Sequence, residues 1–331
     1  MSEPRNRPLP IGPARTTVRV AAPDADQRLD RYLRKLVPGA PASFLFKAID
    51  RGRIRLNGAK VAPGTRVRAG DEIALPIGRA EMARLARRAA PPRPGTGSGA
   101  SVLRVVHEDD AILAADKPAG QTTHGGAGSL TDAVLRRIGP SCTAALTFRL
   151  APAHRLDKDT SGVIVFGKTP AAQRALAAAF RERAVAKHYA ALVLGKTPAA
   201  AELTSCLVRR NRPRGPKMIE GAGGAAAETR YRRLATSGRV SLVELCPGTG
   251  RTHQLRAQLA GLGHPILGDR RYASDTARAL ARELGLDRLF LHALRLVLPH
   301  PAHGLRLVLR AELPPALRRV LARLELPCPR A

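Results

Sequence analysis

The chain has 331 residues, 44% of them hydrophobic, enough to bury the core of one large domain beside a small one. Its 56 lysines and arginines against 26 acids leave a net charge of +30, which exceeds what solubility needs and calls for a polyanionic partner, nucleic acid before an anionic membrane. Cys142, Cys206, Cys246 and Cys328 show no C-x-x-C pair or metal-ligand spacing, and no run approaches a membrane span or signal peptide. The composition therefore excludes a disulfide scaffold, a zinc module and a membrane protein, and the expectation is a cytoplasmic monomer with reduced thiols.

Residues 1–16, rich in Pro and Arg without periodicity, read as a flexible basic tail. Residues 17–77 read as a small domain. "DADQRLDRYLRKLV" sets Asp24 three residues before Gln27, an N-cap pairing. Leu29, Tyr32, Leu33 and Leu36 then repeat at i, i+3, i+4 and i+7, which predicts an amphipathic helix. "ASFLFKAIDRG" predicts a second helix stopped by Gly52. "RIRLNG" alternates as a strand into an Asn-Gly turn, and "TRVRAGDEIALP" adds two strands around residues 69–71. The polar faces carry Arg31, Arg34, Lys35, Lys47, Arg51, Arg53, Arg55 and Lys60.

The stretches "RLDRYLRK", "AIDRGRIRLNG" and "VRAGDEIALP", within residues 27–76, resemble the S4 RNA-binding domain. The resemblance implies RNA docking through the two helices, with Arg31, Arg34, Lys35, Lys47, Arg51 and Arg53 as RNA-binding candidates. The bland alternative is a solvated basic helix pair.

Residues 78–101 begin with a helical pattern and pass into Pro, Gly and Ser, a linker. Residues 102–331 then mix strands and helices without βαβ alternation. "VLRVVHEDDAILAADKP" predicts two strands about an acidic turn, and "LTDAVLRRI", "PAAQRALAAAFRERAV" and "PPALRRVLARL" predict helices. Further strands are expected in "KHYAALVLG", "ETRYRRLAT", "RVSLVELC", "FLHALRLVLP" and "LRLVLRAELP". The fold class is α+β, with a mixed, largely antiparallel sheet flanked by helices. No G-x-G-x-x-G or Walker sequence points to a nucleotide cofactor.

"PAHRLDKDTSGVIVFGKT" crowds His154, Arg155, Asp157, Lys158 and Asp159 at the mouth of an apolar run. A carboxylate there is desolvated, which raises its pKa unless a cation compensates. "GTGRTHQLRAQLAGLGHPILGD" offers one: a tight turn at Gly248 and Gly250, then a helix from near Thr252 with Arg256 one turn in. Arg256 paired with Asp157 would keep the acid ionised and aim its oxygens; Arg251 competes for the same carboxylate. Tyr189, in the strand "KHYAALV", can wall a base-sized pocket.

"HRLDKDTSG", "KHY", "GRTHQLR" with "GHPILGD", "DKPAG" with "HGG", and "RLFLHALRL" occur in order and resemble the RluA-type pseudouridine synthases. With the S4-like segment and "THGGAG" the chain is most similar to the RluC-like branch, whose substrate is large-subunit ribosomal RNA. Asp116 departs from the pattern, where Asn is expected. The resemblance implies cleavage of the C1′–N1 bond of uridine, rotation of uracil and joining of C5 to C1′, with no metal or other cofactor. It implies Asp157 as the catalytic carboxylate, attacking C1′ or removing a sugar proton, and Arg256 as its ion-pair partner. Tyr189 stacks on uracil and assists proton removal at C5, Arg155 fills the space left by the flipped base, and Arg251 joins the RNA-binding set. His154 and His253 read as structural hydrogen-bonders and Asp159 as a turn cap.

Two rivals differ in class. A glycosidase would pair Asp157 with Asp159, but residues two apart at a strand entry are poorly placed to converge. A non-catalytic S4-type RNA-binding or ribosome-assembly factor explains the charge but not the ordered motifs.

Overall fold

The computed structural model describes residues 15–87, 102–125, 127–139, 148–211 and 217–331. Most of the expected basic tail, the Pro/Gly/Ser stretch at 91–101, Gly126 and Cys142 lie outside the described residues. The chain divides into two compact units, residues 1–96 with 138–150, and residues 97–137 with 151–331.

The first unit contains β1 (Thr16–Arg19), β2 (Gln27–Arg28), α1 (Leu29–Leu36), α2 (Ala42–Asp50), β3 (Arg55–Leu56), β4 (Arg66–Val67), β5 (Glu72–Leu75) and α3 (Arg79–Arg87). Leu29, Tyr32, Leu33 and Leu36 are all buried, as their spacing requires, against Leu45, Ala48 and Ile49 of α2. The sheet order is β1-β5-β3, with a separate β2-β4 ladder. The expected N-cap at Asp24 is corrected. Gln27 and Arg28 pair with Val67 and Arg66, which keeps the backbone extended until Leu29. Arg28 is the N-cap and makes no side-chain cap bond, while Asp24 lies in a 3-10 turn. Within the expected linker, α3 is helical and buries Leu85 in this core. That apolar anchor ties residues 79–87 to the first unit.

The second unit contains β6 (Arg104–Glu108), β7 (Ile112–Lys117), α4 (Leu130–Ile138), β8 (Ser161–Gly167), α5 (Pro170–Arg181), β9 (Ala186–Leu194), β10 (Ala200–Arg210), β11 (Lys217–Glu220), β12 (Ala225–Thr236), β13 (Val240–Pro247), α6 (Gln254–Gly261), α7 (Asp275–Glu283), β14 (Leu291–Pro299), β15 (Arg306–Arg310) and α8 (Pro315–Arg323). One sheet of ten strands runs β11-β10-β12-β13-β9-β14-β8-β7-β6, with β15 also on β14. Only the β14–β8 pair is parallel among the described residues; the other ladders are antiparallel. Every residue of β8 is buried, as its unbroken apolar run predicts. Among the described residues no helix is long and apolar enough to cross a membrane.

The β8–β14 junction depends on a glycine. Gly162 has φ +119°, and an added Cβ would fall 2.2 Å from the Ala293 carbonyl oxygen. Gly162→Ala is therefore expected to lower stability by at least about 2 kcal/mol through backbone strain and overpacking. Urea unfolding measures this; Gly250→Ala, with no atom within 4 Å of the added methyl, is the control expected within about 0.5 kcal/mol.

Candidate active site

Asp157 sits in the loop that enters β8, and both its neighbours are clamped. The buried Thr123 hydroxyl donates to the Leu156 carbonyl at 3.0 Å and accepts from the Leu156 N–H at 3.3 Å. The Lys158 carbonyl accepts from Lys117 Nζ and from the Gly120 N–H, each at 2.9 Å. Lys117 is fully buried and also donates to the Pro118 and Gln121 carbonyls. Burial lowers its ammonium to about 8, and three carbonyl acceptors favour the protonated form near neutrality. The "DKPAG" segment thus holds the loop from behind.

Arg256 comes from α6, which is buried along almost its whole length by polar as well as apolar side chains. Gln258 accepts from the Thr229 hydroxyl and donates to the Leu203 and Ala227 carbonyls. Gln254 accepts from the Thr249 hydroxyl and donates to the Glu228 carbonyl. These bonds fix the helix on the sheet, and Arg256 projects between two acids. Its Nε and Nη2 donate to Asp269 at 2.7 and 2.8 Å, and its Nη1 donates to Asp157 Oδ2 at 3.1 Å. Asp269 is fully buried, so desolvation pushes its carboxyl up. The Arg256 bonds and charge, with the N–H groups of Arg271 and Tyr272, outweigh this and hold it below the ordinary range. The Tyr272 ring lies 5.1 Å from the guanidinium carbon.

A cavity of about 520 Å³ opens beside this pair, lined by Arg155, Asp157, Tyr189, Arg251, His253 and Arg256 among others. Its size suits a nucleoside. Tyr189 is buried on β9, and burial together with the Asp157 charge raises its phenol, keeping it protonated. Arg155 and Arg251 are exposed at the rim; Arg251 donates to the Ala226 carbonyl rather than to Asp157. Asp159 is not in this group. It lines a second cavity with Lys117 and Arg288, so the two acids do not converge as a glycosidase pair, and no capping bond from its carboxylate occurs among the described contacts. His154 stacks on Phe180 and accepts from the Val165 N–H, a structural placement. His253, read as structural, has Nε2 only 3.7 Å from Asp157 Oδ2. In the first unit Arg31, Arg34 and Lys35 lie on the exposed side of α1, and Lys47, Arg51 and Arg53 are exposed on and after α2.

Over residues 27–73 the chain matches the S4 domain, and over residues 111–261 it matches RNA pseudouridylate synthase. It is 33% identical over 303 residues to ribosomal large subunit pseudouridine synthase C of Vibrio cholerae, spanning 91% of this chain and 94% of that one. The chain belongs to the RNA pseudouridylate synthase family. The synthase is likewise 33% identical over 321 residues to ribosomal large subunit pseudouridine synthase C of Escherichia coli, covering 94% and 97% of the two chains. Its fold is similar to the solved human RNA pseudouridylate synthase domain containing 4, with a TM-score of 0.56, 30% identity, and coverage of 68% and 94%. The synthase thus converts uridine to pseudouridine in RNA, an isomerisation.

Sequence reading missed Asp269, Thr123 and Lys117. Asp269 carried a signal: a lone acid directly after the apolar "PIL" and a glycine. Lys117 also carried one, ending an apolar strand before Pro118. Thr123 carried none.

Removing the Arg256 charge leaves Asp269 buried and unpaired, so Arg256→Met should cost about 3–5 kcal/mol. The stability that Asp269 contributes is present above its unfolded pKa, about 4, and is lost as pH falls through its lower folded value. Arg256→Met should therefore move acid unfolding to higher pH as well as collapse turnover. Arg251→Met should do neither; the reverse order, read by circular dichroism against pH and by turnover, contradicts this assignment.

Proposed function

We propose that this synthase acts on uridines of large-subunit ribosomal RNA, with Asp157 as the carboxylate that works on the sugar. The name shared by the bacterial relatives supports the substrate. The observation that carries the assignment is the Arg256–Asp157 ion pair at the wall of a nucleoside-sized cavity. A uridine must leave its stack to enter. Arg155, at the rim, fills the gap in the helix.

Arg256 occupies Oδ2, so Oδ1 is the oxygen offered to the substrate. An ionised Asp157 serves either route, attack on C1′ or removal of a sugar proton. The C1′–N1 bond breaks, uracil turns against the Tyr189 wall, and C5 bonds to C1′. C5 then loses its proton and N1 gains one, so the product is an isomer and the balance requires no cofactor. Tyr189 takes part as a neutral hydroxyl and an aromatic surface, in keeping with its raised phenol.

We take one chain as the working unit. In this reading residues 17–77 with the packed α3 anchor the RNA, the rest of 78–101 links and 102–331 catalyse, and a ribosomal substrate fits a cytoplasmic location.

Uracil tritiated at C5 loses its label when C5 bonds to C1′, so tritium release from deproteinised ribosomal RNA reports turnover. Asp157→Asn should lower it by at least ~10²–10⁴-fold, the range of a lost general base, and by more if Asp157 attacks C1′, while RNA affinity stays within a few-fold. Turnover within tenfold of wild type sinks the assignment. The anchoring role is tested separately by Arg34→Gln, Lys47→Gln and Arg51→Gln combined. The slope of log affinity against log salt should flatten by about 2–3, roughly one per phosphate contact removed. An unchanged slope means the first unit does not hold RNA through these groups.

A further inference from the structure

Asp157 Oδ2 faces a second side chain besides Arg256. His253 is the N-cap of α6, yet it makes no capping bond, and its backbone is left-handed at φ 54°. A non-glycine residue in that conformation is strained, and such strain persists where the side chain is needed in one place. Its neighbours give each ring nitrogen a polar partner. The Met218 N–H donates to the Tyr272 hydroxyl oxygen at 2.9 Å. The Tyr272 hydroxyl keeps its own proton to give, and His253 Nδ1 is an acceptor within reach of it at 3.1 Å. With Nδ1 accepting, the neutral imidazole carries its proton on Nε2, and Nε2 lies 3.7 Å from Asp157 Oδ2.

Resting on the reading of Asp157 given above, we propose that His253 is a positioning residue for this carboxylate. Its Nε2–H, oriented by Tyr272, closes onto Oδ2 when the substrate enters and leaves Oδ1 to react. Contacts of this kind are commonly long in the free enzyme and tighten in the substrate complex. Burial lowers the imidazole; Asp157 and Asp269 oppose that, while Arg256 and Arg271 add to it. The net result is a neutral ring, a donor that adds no charge beside Arg256.

Two substitutions separate this role from a structural one. In His253→Gln the amide nitrogen reaches the place of Nε2 and keeps the donor toward Asp157. In His253→Asn the amide stands at the place of Nδ1, keeping the Tyr272 side; asparagine also tolerates the left-handed backbone better. A structural role predicts that Asn is mild and Gln severe. Positioning predicts the opposite order.

The measurement is tritium release from C5-labelled, deproteinised large-subunit ribosomal RNA by the full chain, with kcat, KM and Tm for each variant. His253→Asn should lose on the order of 10²-fold in kcat, the cost of a misplaced reacting group, with KM and Tm near wild type. His253→Gln should stay within about tenfold, as a retained donor implies. Equal losses in both, a worse loss in Gln, or full turnover in Asn overturns the proposal. Wild-type release is the control: its absence overturns the reading of the site itself, and this inference with it.

Discussion

One guanidinium determines the geometry of this site. Arg256 is held first by Asp269, through two short parallel bonds to an acid with no solvent access. Neither charge is tolerable at that depth without the other. Because Asp269 fixes the plane of the guanidinium, the remaining nitrogen has a determined position, and that nitrogen meets Asp157. Asp157, the carboxylate proposed to react, is therefore oriented by a donor that a second acid already immobilises, which is the condition for electrostatic preorganisation.

The fold supplies the tolerances this arrangement needs. The β8 strand, buried on both faces, fixes where the Asp157 loop enters the sheet. Thr123, Lys117 and Gly120 grip the backbone immediately before and after Asp157. On the other side, α6 is attached through Gln254 and Gln258, whose amides satisfy sheet carbonyls and hydroxyls that the helix buries. An apolar helix would pack there but would leave those groups without partners. Gly268, with φ +74° and an added Cβ falling 1.9 Å from the Arg288 carbonyl oxygen, lets the Asp269 turn press against a neighbouring backbone.

The legible parts of this architecture were those with a strong period or a local chemical density. Leu29, Tyr32, Leu33 and Leu36 declared a helix, and Val163–Phe166 declared a buried strand, because burial acts on spacing that a short window contains. The Asp157–Arg256 pairing was reachable because both residues lie in dense polar motifs at the ends of apolar elements. β10, β11 and α7 escaped. β10 mixes Ala, Thr, Ser and Cys with few large apolar residues, so its alternation is faint. The α7 start was readable in principle, since Ser274 caps it by accepting from the Ala277 N–H. Asp24 misled because cross-strand pairing of Gln27 and Arg28 with residues 40 and 38 positions away in sequence overrode a local cap. The surroundings of His253 were hidden for the same reason: only the folded chain brings Tyr272 and Asp157 to it.

The central claim is that a carboxylate fixed by Arg256 rearranges uridine in large-subunit ribosomal RNA. The most direct test maps pseudouridine across all cellular RNA in cells that lack the protein and carry either the wild-type chain or Asp157→Asn. The account predicts one or more large-subunit positions that are pseudouridine with the wild-type chain and uridine with Asp157→Asn, with small-subunit and transfer RNA unchanged. Identical maps in the two strains would contradict it.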